Sequence, residues 1–439
     1  MKVRVRLATS SFQGKTFYAL QNPQFRLLWF GNIFSFLGMQ MQVIARGYLA
    51  FDLTGKNSAL GGVMLAFGIP QLLLGLWGGV IADRLPKRRV LMVCQVIVAS
   101  NSAWIAVMIA MGSIEYWMLL VAGAVQGAGF AFIGPARQAF ISDLVDRDEL
   151  GNAVVLQQLS MNSTRVIGPS LAGAFIAVAF IGTAGVYFIT TAGFIVSTLM
   201  MLRLPPGNPR PRTDTRSPLA DLTDGVRYVT ARPQVGLLIL ASFAVVMIGF
   251  PYQSFLPSVA KDVYGVGSGG LGAIQSVAAV GAVIATVFVA SLSQRKAVLW
   301  QPIAGIAFGI ALAVFGLSSN LLVGFLAILF VGAMASAFQS LNNSIVMTLT
   351  DSEYHGRVQS MNMLSWSLFG LASLPIGIIA DRVGIQETLV VMGILSAVAM
   401  LVIEAFRRAI VTREPVIPRT ASGGPLADSA LIARDAVRD

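Results

Sequence analysis

A short, densely charged segment lies between two long apolar stretches near the start of the chain. Residues 83–89 carry five charged side chains, and the flanking stretches, 58–82 and 90–112, are almost entirely apolar. A helix of about 20 apolar residues crosses the hydrocarbon layer of a bilayer. We therefore predict that segment 79–89 is a tight aqueous turn joining two membrane helices. Four of its five charges are cationic, which favours the cytoplasmic side of the membrane.

The composition predicts that the whole chain follows the same plan. Of the 439 residues, 56% are hydrophobic and only 12% are charged, whereas a soluble domain carries about 25% charged residues. Apolar stretches long enough to span a bilayer recur from Phe25 to Phe406. The sequence therefore predicts an all-α membrane protein with twelve transmembrane helices. We place them at 25–50, 58–82, 90–112, 115–139, 153–180, 184–203, 235–259, 269–292, 298–318, 321–348, 357–380 and 386–406.

A Pro-rich, charged segment, 204–234, divides the predicted helices into two sets of six. Within it, apolar residues at helical spacing predict an amphipathic helix over 219–231, lying on the cytoplasmic face. An Asp-x-x-x-x-Gly motif at 146–151 recurs at 351–356, which indicates that the two sets are pseudo-symmetric repeats. Two six-helix bundles with a ligand site between them form a transporter architecture. The predicted domains are an N-terminal arm 1–24, a bundle 25–203, the linker 204–234, a second bundle 235–408 and a disordered tail 409–439.

The net charge of +11 comes from Lys and Arg residues that lie almost all on one predicted side of the membrane. Lys56, Lys261 and Arg382 fall on the other side, and Arg46 and Arg165 fall within helices. This asymmetry predicts that both termini are cytoplasmic and explains the charge without nucleic-acid binding. The chain has one cysteine, one histidine, no metal-ligand cluster and no phosphate-binding loop. These features argue against a disulfide, a metal site, a cofactor and an enzyme.

Two motifs resemble those of a known transporter family. Segment 79–89 resembles the signature between helices 2 and 3 of the major facilitator superfamily, with Pro86 where that family usually has Gly. Segment 168–173 resembles the Gly-Pro motif found in span five of its exporter and antiporter branches. Further matches between residues 25 and 406 are similar to the bacterial subgroup that includes the enterobactin exporter.

The resemblance implies a monomeric secondary transporter in the inner membrane of a bacterial cell. It implies export of a small amphipathic or aromatic compound, such as a drug or siderophore, by alternating access and coupled to protons. An importer of a small metabolite, by proton symport or facilitated diffusion, remains the alternative. The residues that the resemblance and the charge pattern assign to gating and conformational change are Gly79, Asp83, Arg84, Lys87, Arg88, Arg137, Asp143, Gly168, Pro169 and Gly173. For Arg137 we predict an ion pair with Asp143 or with the 83–89 loop.

The resemblance also implies that spans 1, 4, 7 and 10 line a central cavity, whose polar side chains are candidate substrate contacts. Gln339, Asn342 and Asn343 are predicted to share one helix face, and interhelical hydrogen bonding is the alternative role for such amides. The candidate substrate-binding residues are Asn32, Gln40, Arg46, Gln126, Tyr252, Gln253, Gln339, Asn342 and Asn343.

Ionisable residues within predicted spans are the default functional candidates. Arg46 is predicted to bind an anionic or polar substrate group, unless it extends to the outer surface or pairs with Asp52. Arg165 is predicted to be structural, with a role in the cavity as the alternative. Proton coupling needs a carboxylate whose pKa is raised by burial, and Asp52 is the candidate for that role, although it can equally be a solvated residue at a helix end.

Overall fold

The computed structural model describes residues 17–207, 218–351 and 354–413, and within these ranges it contains helices and turns without strands. The predicted N-terminal arm and tail therefore lie largely outside the described residues. A short 3₁₀ helix, Tyr18–Gln21, precedes the first long helix. The six long helices of the first bundle are α1 Pro23–Thr54, α2 Asn57–Arg84, α3 Lys87–Ala110, α4 Tyr116–Leu144, α5 Arg147–Ala177 and α6 Gly182–Leu202.

A linker helix, α7 Pro218–Ala231, leads into the second bundle. The seventh span is built from α8 Pro233–Ala244 and α9 Tyr252–Ser258, with π-helical segments Val245–Gly249 and Val259–Val263 following each of them. The five remaining long helices are α10 Ser268–Ala290, α11 Gln294–Leu317, α12 Leu321–Leu349, α13 His355–Val383 and α14 Ile385–Arg413.

Local sequence signals account for where the first helix begins and ends. The Asn22 side chain accepts hydrogen bonds from the backbone N–H groups of Gln24 and Phe25, at 3.0 and 3.3 Å. Pro23 follows at the first helical position, where its missing N–H costs nothing. Gly55 ends the helix with φ of +63°, a conformation that glycine adopts without strain.

Prolines act differently in two of the spans. The seventh span is interrupted near Pro251 and Pro257, where the regular hydrogen-bond pattern gives way to π-helical segments. Helix α5, in contrast, continues through Pro169 from Arg147 to Ala177 without a break.

The predicted architecture of twelve membrane helices in two bundles is confirmed. Ten of the long helical spans in the described residues are long and apolar enough to cross a bilayer. Helix α5 does not meet that standard of hydropathy, because Gln158, Asn162 and Arg165 lie within it. Its polarity indicates that part of it faces an aqueous interior rather than lipid.

Two crossings join the bundles: α2 packs against α13, and α5 packs against α10. We call the end of the molecule where α1 begins the basic face, and the other end the opposite face. Gly61 on α2 approaches the backbone of Ser373 and Leu374 on α13 so closely that any side chain at that position would clash. Small residues at such crossings let helix backbones approach each other.

The linker helix α7 is attached to the second bundle at the basic face. The Tyr228 hydroxyl donates to Asp351 Oδ2 at 3.2 Å and accepts from the Asp351 backbone N–H at 2.9 Å. Arg232 Nη2 lies 2.5 Å from the same carboxylate, and the Tyr228 and Tyr354 rings stack 4.1 Å apart. The linker helix therefore moves with the second bundle when that bundle moves.

Candidate functional site

The half of the molecule nearest the opposite face is closed by contacts between the two bundles. Asp381, at the end of α13, accepts hydrogen bonds from the backbone N–H groups of Asn57 at 2.5 Å and Ser58 at 3.0 Å. These N–H groups begin α2, where unpaired donors and the helix dipole favour a carboxylate. Asp52 and Lys261 form a second bridge between the bundles, at 2.9 Å.

The crossing of α5 and α10 closes the same half from the other side. Ser276 Oγ donates to Ser170 Oγ at 2.7 Å. A side chain at Gly173 would place its Cβ 2.7 Å from the backbone nitrogen of Gly272, so glycine is required there. Closure therefore extends from the opposite face to about the level of Ser170.

Below that level, α5 presents an exposed polar face. Gln158, Asn162 and Arg165 are all exposed, and the helix packs against α1 and α10. Gly168 meets Gln40 of α1, and Gly173 meets α10. Successive residues of a helix point about 100° apart. Viewed along the axis of α5, the three polar side chains therefore fall within the sector of about 140° that lies between Gly168 and Gly173. This sector is bounded by protein on both sides, so the exposed side chains line a space between the bundles.

Helices of the second bundle carry amides with unused hydrogen-bonding capacity. Gln253 of the seventh span is exposed. Gln339 and Asn343 of α12 are half-buried, and their buried atoms Gln339 Nε2 and Asn343 Oδ1 have no hydrogen-bond partner within the described residues. The same holds for Gln275 Nε2 of α10. An exposed arginine and amides without partners are side chains that can bind a polar or anionic group.

Sequence reasoning missed Gln158, Asn162 and Gln275, and it gave Arg165 a structural role before a cavity role. A signal was available, since 158, 162 and 165 are spaced four and three residues apart on an otherwise apolar span. Spacing of this kind predicts one helix face.

Other predicted contacts lie inside the bundles instead. Asn32 Nδ2 donates to Gln157 Oε1 at 2.9 Å, and both residues are buried. Tyr252 is buried against Phe308, with ring centroids 6.2 Å apart. These residues join helices of the same bundle, which is the alternative role expected for polar residues in spans.

Within the predicted set of Gln339, Asn342 and Asn343, Asn342 takes the alternative role of interhelical hydrogen bonding. Asn342 is buried, accepts from Gln301 Nε2 at 3.1 Å and donates to the Leu238 carbonyl at 3.3 Å. The reason is helical phase, since adjacent residues in a helix point about 100° apart. Gln339 and Asn343 stay together on the cavity side, and Asn342 turns into the second bundle.

Arg46 belongs to a buried polar network in the first bundle. Its Nη2 donates to Gln126 Oε1, and Gln126 Nε2 donates to Gln42 Oε1 at 2.8 Å. Gln42 in turn donates to Ser102 and Thr190, at 2.7 and 2.9 Å. Arg46 is only 3% exposed, so it does not extend to the outer surface, and it does not pair with Asp52, whose partner is Lys261.

The ion pair predicted for Arg137 is absent from the described residues. Its guanidinium lies 4.1 Å above the Phe36 ring, and Nη2 donates to Ser35 Oγ at 3.3 Å. Asp143 lies six residues further along α4, which turns it about 120° away from Arg137. Asp143 pairs with Lys87 instead, at 3.1 Å.

The pair between Lys87 and Asp143 is buried, with side-chain exposures of 2% and 5%. Because α3 and α4 belong to the same bundle, the pair stiffens that bundle rather than joining the two. Arg88 Nη1 donates to the Leu204 carbonyl at 2.6 Å, which ties the turn to the start of the linker. Arg84 is exposed. Gly79 and Asp83 lie in the last turns of α2, and their side-chain surroundings are outside the described part.

Asp143→Asn is expected to lower the free energy of unfolding by about 3–5 kcal/mol, because it leaves the buried Lys87 ammonium without its counter-charge. Thermal unfolding in detergent measures the change. The double variant Lys87→Met with Asp143→Leu removes both charges and should recover most of the loss. Equal destabilisation by the single and double variants would contradict this account of the pair.

Three comparisons bear on what the chain is. Residues 14–435 match a family model described as transmembrane secretion effector. The chain is 27% identical over 382 residues to the staphyloferrin A transporter of Staphylococcus aureus, covering 84% of this chain and 90% of that protein. It is 23% identical over 344 residues to the enterobactin exporter EntS of Shigella flexneri, covering 77% of this chain and 80% of that protein.

A solved structure of the nucleoside transporter NupG shares the fold, with a TM-score of 0.67 at 14% identity, covering 87% of this chain and 98% of that one. The family match spans nearly the whole chain, as the sequence resemblance implied. The chain therefore belongs to the transmembrane secretion effector family of the major facilitator superfamily, and it is a membrane transporter rather than an enzyme.

Proposed function

We propose that this protein exports a small amphipathic compound across the inner membrane of a bacterial cell by alternating access. The observation that carries the proposal is the cavity itself. Its polar wall on α5 is exposed on the basic-face side, while the contacts at Ser170 and Asp381 close the opposite side. A binding site open to one side only is the arrangement that alternating access requires.

A repeated tetrapeptide supports a reciprocal mechanism of opening. Ile-Ala-Asp-Arg ends α2 at 81–84 and recurs near the end of α13 at 379–382. In the closed half, Asp381 caps the start of α2. Because α2 and α13 are antiparallel partners, the start of α13 lies at the same face as Asp83. We infer that Asp83 caps α13 when the basic face closes, so one cap forms as the other breaks.

The direction and orientation rest on charge and on the relatives. Lys and Arg residues concentrate at the basic face, which supports a cytoplasmic position for that face and for both termini. The site is then open to the cytoplasm and ready to load a compound made inside the cell. The similarity to the enterobactin exporter and to the staphyloferrin A transporter supports a small-molecule substrate of the siderophore kind.

Proton antiport was the coupling implied by the sequence resemblance, with Asp52 as the carrier. Asp52 is about half-exposed at the opposite face and pairs with Lys261. A residue in that position belongs to the contact between the bundles and does not lie beside the cavity. Export by alternating access therefore does not depend on Asp52 as the proton carrier.

Flux in everted membrane vesicles tests the proposal. A labelled catecholate siderophore and a lipophilic dye should accumulate in everted vesicles that contain the protein, and not in vesicles from cells that lack it. Uptake of the same probes into right-side-out vesicles, without accumulation in everted ones, would contradict export and favour the alternative of an importer.

A further inference from the structure

Three arginines lie deep within the membrane spans of the first bundle. Arg46, Arg137 and Arg165 lie in the interiors of α1, α4 and α5, whereas Asp52, Asp143, Asp381 and Glu404 lie towards helix ends. The arginines are the only charged residues in a set of long sequence stretches that cover the middle parts of the spans. Those stretches, which contain no Asp or Glu, are 27–51, 57–82, 90–114, 116–142, 150–202, 235–260, 263–294, 297–350, 358–380 and 388–403.

The three arginines are distributed along the direction of transport. Helices α1 and α4 are antiparallel and are joined by two hydrogen bonds. Arg137 of α4 donates to Ser35 of α1, and Arg46 of α1 donates to Gln126 of α4. These contacts are eleven residues apart, which corresponds to about 16 Å along the helix axes. Arg165 lies near the level of Arg137, on the exposed cavity wall. Arg46 lies further on, within the half that is closed in this structure.

Among the described residues, two of these cations have no neutralising partner. Arg46 and Arg137 are 3% and 4% exposed, and neither pairs with a carboxylate within the described residues. The Nε atom of each has no hydrogen-bond partner there either. A buried charge without a counter-charge is unfavourable, and an anion that approaches it makes it less so.

The carboxylates at the ends of the helices are already engaged. Asp52 pairs with Lys261, and Asp143 pairs with Lys87. Asp381 caps α2. Glu404 pairs with Arg407 and Arg408, at 2.7 and 2.8 Å. A substrate in the cavity therefore encounters cationic and amide side chains of the protein. The carboxylates named above bind other parts of the fold.

We propose that the substrate is an organic anion and that its own negative charge couples export to the membrane potential. The proposal rests on the proposed function, because it assumes that the basic face is cytoplasmic. An interior-negative potential drives an anion outward, so transport needs no exchanged proton. Arg165 receives the anionic group from the cytoplasmic side, and Arg46 lies ahead of it on the path to the outside.

Purified protein in liposomes tests this inference with two ions of similar size. The anionic probe is 1-naphthalenesulfonate, which carries one permanent charge, and the cationic probe is N-methylquinolinium. A tenfold potassium gradient with valinomycin, at equal and strongly buffered pH, makes the lumen positive. At equilibrium the monovalent anion should accumulate about tenfold in the lumen. Protein-free liposomes should show no accumulation on the same time scale.

The second arm applies a pH gradient while equal potassium and valinomycin hold the potential at zero. We expect no accumulation of 1-naphthalenesulfonate under this condition. Accumulation driven by the pH gradient alone, or flux of N-methylquinolinium without flux of the anion, would overturn the inference and leave export intact. Failure of both ions to cross, together with failure of the everted-vesicle assay, would overturn the proposed function as well.

Discussion

Transport is expected to stop when a disulfide joins Ser170→Cys to Ser276→Cys, and to return when the disulfide is reduced. The hydroxyl oxygens of these two residues are 2.7 Å apart across the bundles, so cysteines at these positions are close enough to bridge. The bridge would hold α5 and α10 together in the closed half. Because alternating access requires these helices to separate, flux in oxidised vesicles should fall to the level of vesicles without the protein.

A matched pair within one bundle provides the control. The hydroxyl oxygens of Thr286 on α10 and Ser336 on α12 are 3.0 Å apart, and both helices belong to the second bundle. A disulfide between Thr286→Cys and Ser336→Cys should leave transport nearly unchanged. Both variants are built on Cys94→Ser, which removes the native cysteine. Continued transport by the fully crosslinked pair of Ser170→Cys and Ser276→Cys would contradict a mechanism in which the bundles separate at this crossing.

Arg165→Gln is expected to raise the KM for an anionic probe by about 10- to 100-fold. This range corresponds to the loss of about 1.5–3 kcal/mol for a hydrogen bond to a charged group. Arg165 is exposed on the cavity wall, so its replacement should not unfold the protein. Initial rates of 1-naphthalenesulfonate uptake into liposomes over a range of concentrations measure the change.

Arg165→Lys is the matched variant, because it keeps the charge and removes the planar guanidinium. Its KM should lie between those of the native protein and Arg165→Gln. The unfolding temperature of all three proteins should agree. An unchanged KM in Arg165→Gln, with full transport, would show that Arg165 is not a substrate contact and would return it to the structural role that the sequence predicted.

The helices were predictable from the sequence because lipid imposes a strict requirement on length and polarity. Each predicted span corresponds to one helix, except the seventh, which is built from α8, α9 and two π-helical segments, and most helices begin a few residues before the predicted span. For example, the span placed at 153–180 is the helix Arg147–Ala177. The polar residues that begin this helix lie outside the apolar stretch, so hydropathy alone did not include them.

The site was less predictable, because helical phase and tertiary partners decide which way a polar side chain points. Asn342 and Asn343 are adjacent in sequence, yet one is buried in the second bundle and the other faces the cavity. Arg137 has an acidic residue within reach in sequence, but that residue pairs with Lys87. The resemblance also directed attention to four cavity-lining spans and away from α5.

Distances across the bundles, measured at both faces in the same experiment, test the central claim most directly. Spin labels at Lys56→Cys and Arg382→Cys report the opposite face, and labels at Leu85→Cys and Gly356→Cys report the basic face; all four positions are exposed. We predict that one distance lengthens as the other shortens when 1-naphthalenesulfonate is added. Two distances that stay fixed, or that change in the same direction, would contradict alternating access between the two bundles.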